Sequence, residues 1–468
     1  MPKPGTGART GPTTRTEADS FGPIDVPIDA LWGAQTERSR HHFAIGEQRM
    51  PLALIHAMAE IKRAAAEVHR DLGLLPAERA AAIADAAARV AAGEFDAAFP
   101  LCVWQTGSGT QSHMNVNEVI ARLASQTLAP AAPLHPNDEV NLGQSSNDVF
   151  PSAMHIAAVL GLRPLRAALA RLRRALQARA HEWAGLIKIG RTHLQDATPI
   201  TLGQEFGGYD AQLALAEAAL RQALPAVRRL AIVGTAVGTG LNTHPEFGAR
   251  VAAVLAARLG EPFEVADNRF AALAGHEALV GLHAALRLLA VALTRLAGDI
   301  RLMGSGPRAG LGELHLPENE PGSSIMPGKV NPTQVEALLM VCMQVMGHDV
   351  AIGIAASQGH FELNVCKPLI ALDVLDSLRL LGDAMDSFAT HCVEGLQADA
   401  PRIDALLQRS LMLVTALVPH IGYAQSARIA RHAQQHGLGL REAALALGAV
   451  SPAQFDLWVD PRRMLGPG

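Results

Sequence analysis

Residues 322–332 read GSSIMPGKVNP, a glycine, a short spacer and then Gly-Lys, which invites comparison with a phosphate-binding loop. That loop needs G-x-x-x-x-G-K-[ST], so that backbone N–H groups cradle the phosphates and a hydroxyl holds magnesium. Here five residues separate Gly322 from Gly328, Val330 stands where the hydroxyl belongs, and Pro327 removes a backbone donor. A nucleotide is excluded. Four further stretches share the same polar character: TGSGTQSHMNVNE (106–118), HPNDEVNLGQSSND (135–148), GRTHLQDATP (190–199) and GTAVGTGLNTHPE (234–246). Ser108-Gly109-Thr110 and Ser145-Ser146-Asn147 offer neutral donors and backbone N–H groups. Such groups either form ordinary turns or bind a carboxylate without a countercharge at each contact. His193 stands in Thr-His-Leu-Gln-Asp; a lone histidine is more often a structural group than an acid or base. Glu336 falls at the start of a predicted helix, where the dipole favours a carboxylate.

Long helices must position these stretches. The chain is 49% hydrophobic but only 4% aromatic, with alanine and leucine dominating, a balance that suits close-packed helices better than strands. Leu279, Leu282, Leu286, Leu289, Leu293, Leu296 and Ile300 alternate spacings of three and four, which predicts a long helix packed lengthwise. Other helices are expected at 52–72, 165–187, 209–231, 333–357 and 369–394. Several are apolar on more than one face and so call for burial on all sides, against neighbours or copies of themselves. A chain of 468 residues exceeds one ordinary domain. The expected division is an N-terminal mainly helical domain (1–142), a central long-helix domain (143–400) and a small C-terminal helical domain (401–468).

A formal net charge of −4 makes no case for nucleic acid or an anionic membrane surface. The four cysteines, Cys102, Cys342, Cys366 and Cys392, are scattered and read as free thiols in a reducing compartment. No HExxH, zinc-spaced Cys/His pair, GxSxG or GxGxxG occurs. About the first 18 residues, rich in Pro, Gly and Thr, lack an apolar signal segment and are expected to be disordered. The most apolar span, 338–356, is broken by Gln344, His348 and Asp349. A soluble cytoplasmic protein is expected.

Taken together, WGAQTERS, WQTGSGTQS, HPNDEVN, QSSNDVFP, GRTHLQDATP, GTAVGTGLNTHPEF and PENEPGSSIMPGKVNP resemble the fumarase/aspartase superfamily, in its order and over nearly the whole chain. The Gly-Lys form of the last motif resembles class II fumarases, since aspartases typically carry alanine at position 328. The resemblance implies a mainly α, three-domain fold with a central helical bundle shared between the subunits of a homotetramer. It implies reversible hydration of fumarate to L-malate, a tricarboxylic acid cycle step, without metal or organic cofactor. By the same resemblance Ser323 is the base, supported by Lys329 and loop N–H groups. His193, paired with Glu336 of another subunit, protonates the departing hydroxyl. Lys329 and Asn331 hold the carboxylate whose charge grows. Ser108, Gly109, Thr110, Ser145, Ser146, Asn147, Thr192 and Ser324 bind the substrate, and each site draws loops from three subunits. His135, Pro136, Asn137 and Asp138 match a secondary dicarboxylate site of relatives.

Three positions depart from the family pattern. His113 replaces a usual asparagine, Leu142-Gly143 replaces a common Lys-Ser, and Ala132 stands where many fumarases place a basic residue, which bears on the secondary site. His113 is expected at a loop edge, as a neutral exchange or as a change in specificity. Two other functions compete. One is a related lyase such as an aspartate ammonia-lyase, against which Gly328 and QTGSGTQS speak. The other is a non-catalytic structural oligomer, which has no need of Ser323, Lys329, Asn331, His193 and Glu336 together.

Overall fold

The computed structural model describes residues 13–128 and 133–467, most of them helical. The chain divides into two compact units: Met1–Leu165, Ala219–Arg287 and Gln344–Leu380 in the first, Arg166–Ala218, Leu288–Met343 and Leu381–Gly468 in the second. Every boundary falls inside one of the long helices introduced below.

The first unit opens with a hairpin of β1 (Thr14–Asp19) and β2 (Gly22–Pro27). The disorder expected over the N-terminal tail therefore does not hold for Thr14–Asp19. Ladder bonds to β2, and Arg15 donating to the carbonyls of Pro27 (2.7 Å) and Trp32 (2.7 Å), order this stretch. Residues 1–12 lie outside the described residues. Helices α1 (Ala34–His42), α2 (Leu52–Asp71), α3 (Ala77–Ala91) and α4 (Thr110–Ser125) follow. Along α2 the buried Leu54, Met58, Ile61, Ala65 and Val68 repeat at helical spacing, and the helix packs chiefly against α3. The WGAQTERS segment begins α1, whose free N–H groups at Gly33, Gln35 and Thr36 all donate to the Glu118 carboxylate of α4, at 2.9, 2.8 and 3.2 Å.

In the second unit β3 (Ile187–Thr192) and β4 (Gln195–Thr201) form an antiparallel hairpin. The C-terminal helices do not close a core by themselves. Ile189 of β3 is buried together with Leu407, Leu417, Ile429, Leu440 and Phe455. The hairpin is thus seated on the C-terminal segment.

Five long helices carry the rest: α5 (Ser146–Glu182), α6 (Leu202–Val227), then, after α7 (Phe247–Leu259) and α8 (Arg269–Ala274), α9 (Glu277–Met303), α10 (Thr333–Ala356) and α11 (Lys367–His391). The seven residues of the expected seam all lie in α9 and are at most 1% exposed. Truncating one such leucine to alanine costs about 3 kcal/mol. By length and composition α5, α9 and α10 are each apolar enough to cross a bilayer. The polar residues of α10 are nevertheless partnered within the bundle: His283 bridges Asp349 (3.0 Å) and Ser377 (2.9 Å), and His348 also meets Ser377 (3.0 Å). Met340, Met343, Val350 and Ile354 of α10 remain 65, 63, 63 and 61% exposed along one stripe of that helix.

Candidate active site

In the first unit the Thr106–Thr110 loop and the Gln144–Asp148 turn are tied together. Ser108 Oγ lies 2.8 Å from Thr110 Oγ1, which donates to Ser146 Oγ at 3.0 Å. Two glycines make this possible. A Cβ on Gly107 would sit 1.4 Å from the Val365 carbonyl oxygen, and Gly109, at φ 76°, has the Phe150 ring where a side chain would go. The Gly107 carbonyl also accepts from the Lys367 N–H at 3.0 Å.

The second turn is held by Asp148. Its two carboxylate oxygens accept from the N–H of Ser145 (2.9 Å) and of Thr235 (3.0 Å). Burial pushes this carboxyl up to about 6, although those N–H groups and nearby Lys62 oppose the shift. The Asn147 side chain donates to the Ala236 carbonyl at 2.9 Å, so the glycine-rich GTAVGTG stretch braces this turn. Ser108, Thr110, Ser145, Ser146 and Asn147 are half-buried, and they present hydroxyls and amides without an arginine among them.

In the second unit Thr192 and His193 lie at the tip of the β3–β4 hairpin, exposed. The two-residue turn is His193-Leu194, with φ of 58° and 59°. A mirror-image turn of this kind normally uses Asn-Gly, because positive φ costs a side-chain-bearing residue about 1–2 kcal/mol. Below the tip, Glu313 is fully buried and receives Arg191 (2.8 Å) and Lys188 (2.9 Å). Burial alone would raise its carboxyl; those two cations hold it below the usual range.

The GSSIMPGKVNP segment is a loop closed at its base. Gly322 N–H donates to the Lys329 carbonyl (3.0 Å), and the Asn331 side chain donates to the Gly322 carbonyl (2.5 Å). A Cβ on Gly322 would lie 2.1 Å from that Lys329 oxygen. Inside the loop Ser323 Oγ accepts from the N–H of Ile325 (3.2 Å) and Met326 (3.0 Å). Ser324 and Lys329 are exposed. Glu336 sits in the first turn of α10, with Arg301 at 3.8 Å.

The stretch His135–Asp138 opens a single π-helical turn, Pro136–Val140. His135 Nδ1 accepts from the N–H groups of Asn137 (3.3 Å) and Asp138 (3.2 Å). His135, Pro136 and Asn137 border a cavity of about 720 Å³ that Arg15, Trp32 and Arg122 also line. Ala132 lies outside the described residues. His113 is not at a loop edge. It lies in the first turn of α4, which begins at Thr110, and is 1% exposed. Among the described residues no group of three or more His, Cys, Asp or Glu side chains is arranged to hold a metal ion.

The sequence matches the Lyase family model over residues 22–347 and the model for the fumarase C C-terminus over residues 413–466. It is 62% identical over 458 residues to a Chromobacterium violaceum protein named fumarate hydratase class II, covering 97% of this chain and 99% of the relative. The chain belongs to the class II fumarate hydratase family. A relative of the same name from Thermosynechococcus vestitus is 58% identical over 458 residues, covering 97% of this chain and 98% of the relative. The fold agrees. The crystal structure of class II fumarase from Schistosoma mansoni superposes with a TM-score of 0.94 at 44% identity, covering 96% of this chain and 99% of that one. The mainly helical architecture expected from the sequence is thus that of the family.

The supports Lys62, Asp148, Glu118, Glu313 and Lys188 are not among the candidate site residues that the sequence motifs single out. Lys62 and His69 are the polar residues on a buried stripe of α2 that is otherwise apolar, a signal open to sequence inspection. Glu313 carried no local signal; its partners are more than a hundred residues away in sequence.

Proposed function

We infer that this chain is a fumarate hydratase, a hydro-lyase that interconverts fumarate and L-malate. The observation that carries the chemistry is Ser323. A hydroxyl oxygen that already accepts two backbone N–H groups is one whose alkoxide would be stabilised, which a serine needs if it is to act as a base. In this reading Ser323 removes the proton from the carbon next to a malate carboxylate. Lys329 and Asn331 stabilise the negative charge that spreads onto that carboxylate. His193, supported by Glu336 of another copy, donates a proton to the departing hydroxyl, directly or through one water, and water leaves. Ser108, Gly109, Thr110, Ser145, Ser146, Asn147, Thr192 and Ser324 bind the two carboxylates.

The same reading makes the protein a cytoplasmic homotetramer of three-domain subunits, divided at 1–142, 143–400 and 401–468, with each active site built from three copies. The exposed apolar stripe of α10 supports this, because an apolar helix face of that length needs a partner. The secondary dicarboxylate site at His135, Pro136, Asn137 and Asp138 is the weaker part: two N–H groups that an anion would use are engaged by His135.

Absorbance of fumarate mixed with purified protein, with and without ammonium, tests the reaction. Loss of the double-bond signal without ammonium, with malate as product, is expected. Loss that requires ammonium would make the protein an ammonia-lyase, and no loss in an intact tetramer would return it to the structural reading.

A further inference from the structure

Lys62 lies midway along α2 with its side chain fully buried, and among the described residues it has no ion pair. A buried ammonium without a countercharge is costly. Burial accordingly pushes the Lys62 amine well below its ordinary range, only partly opposed by Asp148 of α5. What Lys62 does have is two hydrogen-bond partners, His113 Nε2 of α4 at 2.8 Å and Asn141 Oδ1 at 2.8 Å. His113 is also fully enclosed, and burial first, then Lys62, hold its imidazole in the neutral form.

The network leads from there to the substrate turn. The Asn141 side chain donates to the Gln144 carbonyl (3.2 Å), and the Gln144 N–H donates back to the Asn141 carbonyl (3.0 Å). The Gln144 side chain in turn donates to the carbonyls of Val140 (3.2 Å) and Leu142 (3.1 Å). Ser145 is the next residue. On the far side His69, stacked on Phe247 with ring centroids 4.4 Å apart, flanks Gly143, whose φ is 61°. His113 and the Leu142-Gly143 pair, two of the three departures from the family pattern, thus fall at one place.

We propose that Lys62 and His113 form a positioning pair that fixes Asn141 and, through it, the turn presenting Ser145, Ser146 and Asn147 to a substrate carboxylate. The inference rests on the reading of those three residues as substrate contacts. Neither member of the pair touches substrate; their effect is on where the cradle stands.

Steady-state kinetics with L-malate and fumarate, together with calorimetric titration of the unreactive dicarboxylate succinate, test it on the full-length protein. A displaced cradle weakens ground state and transition state alike, so it raises KM more than it lowers kcat. Lys62→Met and His113→Leu are each expected to raise KM and the succinate Kd about tenfold, with kcat falling less than about threefold. In His113→Gln the amide oxygen reaches where Nε2 lies, and both constants should stay within about twofold of wild type. Unchanged KM and Kd in Lys62→Met, or a fall in kcat at constant KM, overturns the pair. If Lys62→Met does not fold, the contrast between His113→Leu and His113→Gln decides by the same criterion. Wild-type protein that binds succinate but leaves fumarate intact overturns the hydratase reading, and the affinity contrast then decides the pair. Wild type that does neither overturns both.

Discussion

The two polar regions of this chain are built in opposite ways. In the first unit the Ser108–Thr110 loop and the Ser145–Asn147 turn are knitted together within the chain, with glycines placed where no side chain fits and a buried carboxylate and lysine behind them. In the second unit Ser323 and His193 stand on exposed projections that are braced at their bases, by the Gly322–Lys329 closure and by Glu313. Ile325, two residues from Ser323, is 84% exposed. On the proposed function the difference separates two tasks. Groups that recognise a carboxylate gain from being fixed before it arrives, whereas groups that move protons must meet the substrate from outside and benefit from a loop that closes over it.

Substitutions can sharpen or break that contrast. The largest effect belongs to the projecting loop. Ser323→Ala is expected to lower kcat by about a thousandfold or more with KM little changed and the oligomeric state unchanged by size exclusion, since it removes the proposed base and leaves the cradle. Full activity in that variant would reassign the base. Next come matched glycines. Gly107→Ala forces its Cβ against the Val365 carbonyl and should destabilise the fold by about 3 kcal/mol or more in urea unfolding. Gly328→Ala meets open space and bears only its φ of 78°, about 1 kcal/mol. Equal costs would remove the distinction between a packed cradle and an open loop.

A third test uses pH. The Asp148 carboxyl rises from its ordinary value of 3.8 to about 6 on folding, so the native state binds the proton more tightly than the unfolded chain does. Its contribution is therefore fully present below about pH 4 and is lost as pH rises toward 6. Measured against Asp148→Asn, the stability advantage of wild type should shrink by up to about 3 kcal/mol across that window and then level off. A difference that does not change with pH would mean that Asp148 is not the titrating support. The smallest expected effect is a gain. Leu194→Gly relieves an exposed residue at φ 59° and should raise stability by about 1 kcal/mol while leaving the imidazole beside it in place.

Much of the scaffold was legible because it depends on local periodicity. The leucine seam of α9 is evident residue by residue, and α2 and α10 begin where the pattern predicts them, at Leu52 and Thr333. The misses have physical causes. Helix α5 begins at Ser146, well before the expected 165, since Pro151 and Pro164 lie inside it and packing outweighs the bonds they remove. Helix α6 begins at Leu202 despite Gly207 and Gly208, and the sequence carried a sign of it: Thr201 and Gln204 exchange side-chain and backbone bonds at 3.0 and 2.9 Å, as a capping box does. The polar stretches were equally visible. Which of them touch was not, because the contacts join residues far apart in sequence, as Asp148 to Thr235 or Lys62 to His113 and Asn141. The tight turn at His193-Leu194 lacks the Asn-Gly that would announce it.

The apolar stripe of α10 has a consequence for handling the protein. On the tetramer reading Met340, Met343, Val350 and Ile354 are covered only when a second copy arrives, and such a chain would not have a stability of its own in the usual sense. Its midpoint of unfolding should climb with protein concentration, because mass action couples folding to association. Dilution, rather than heat, would then be its first enemy. A stock stored at micromolar strength and assayed at nanomolar would lose turnover on a clock set by subunit dissociation, with every catalytic residue chemically intact.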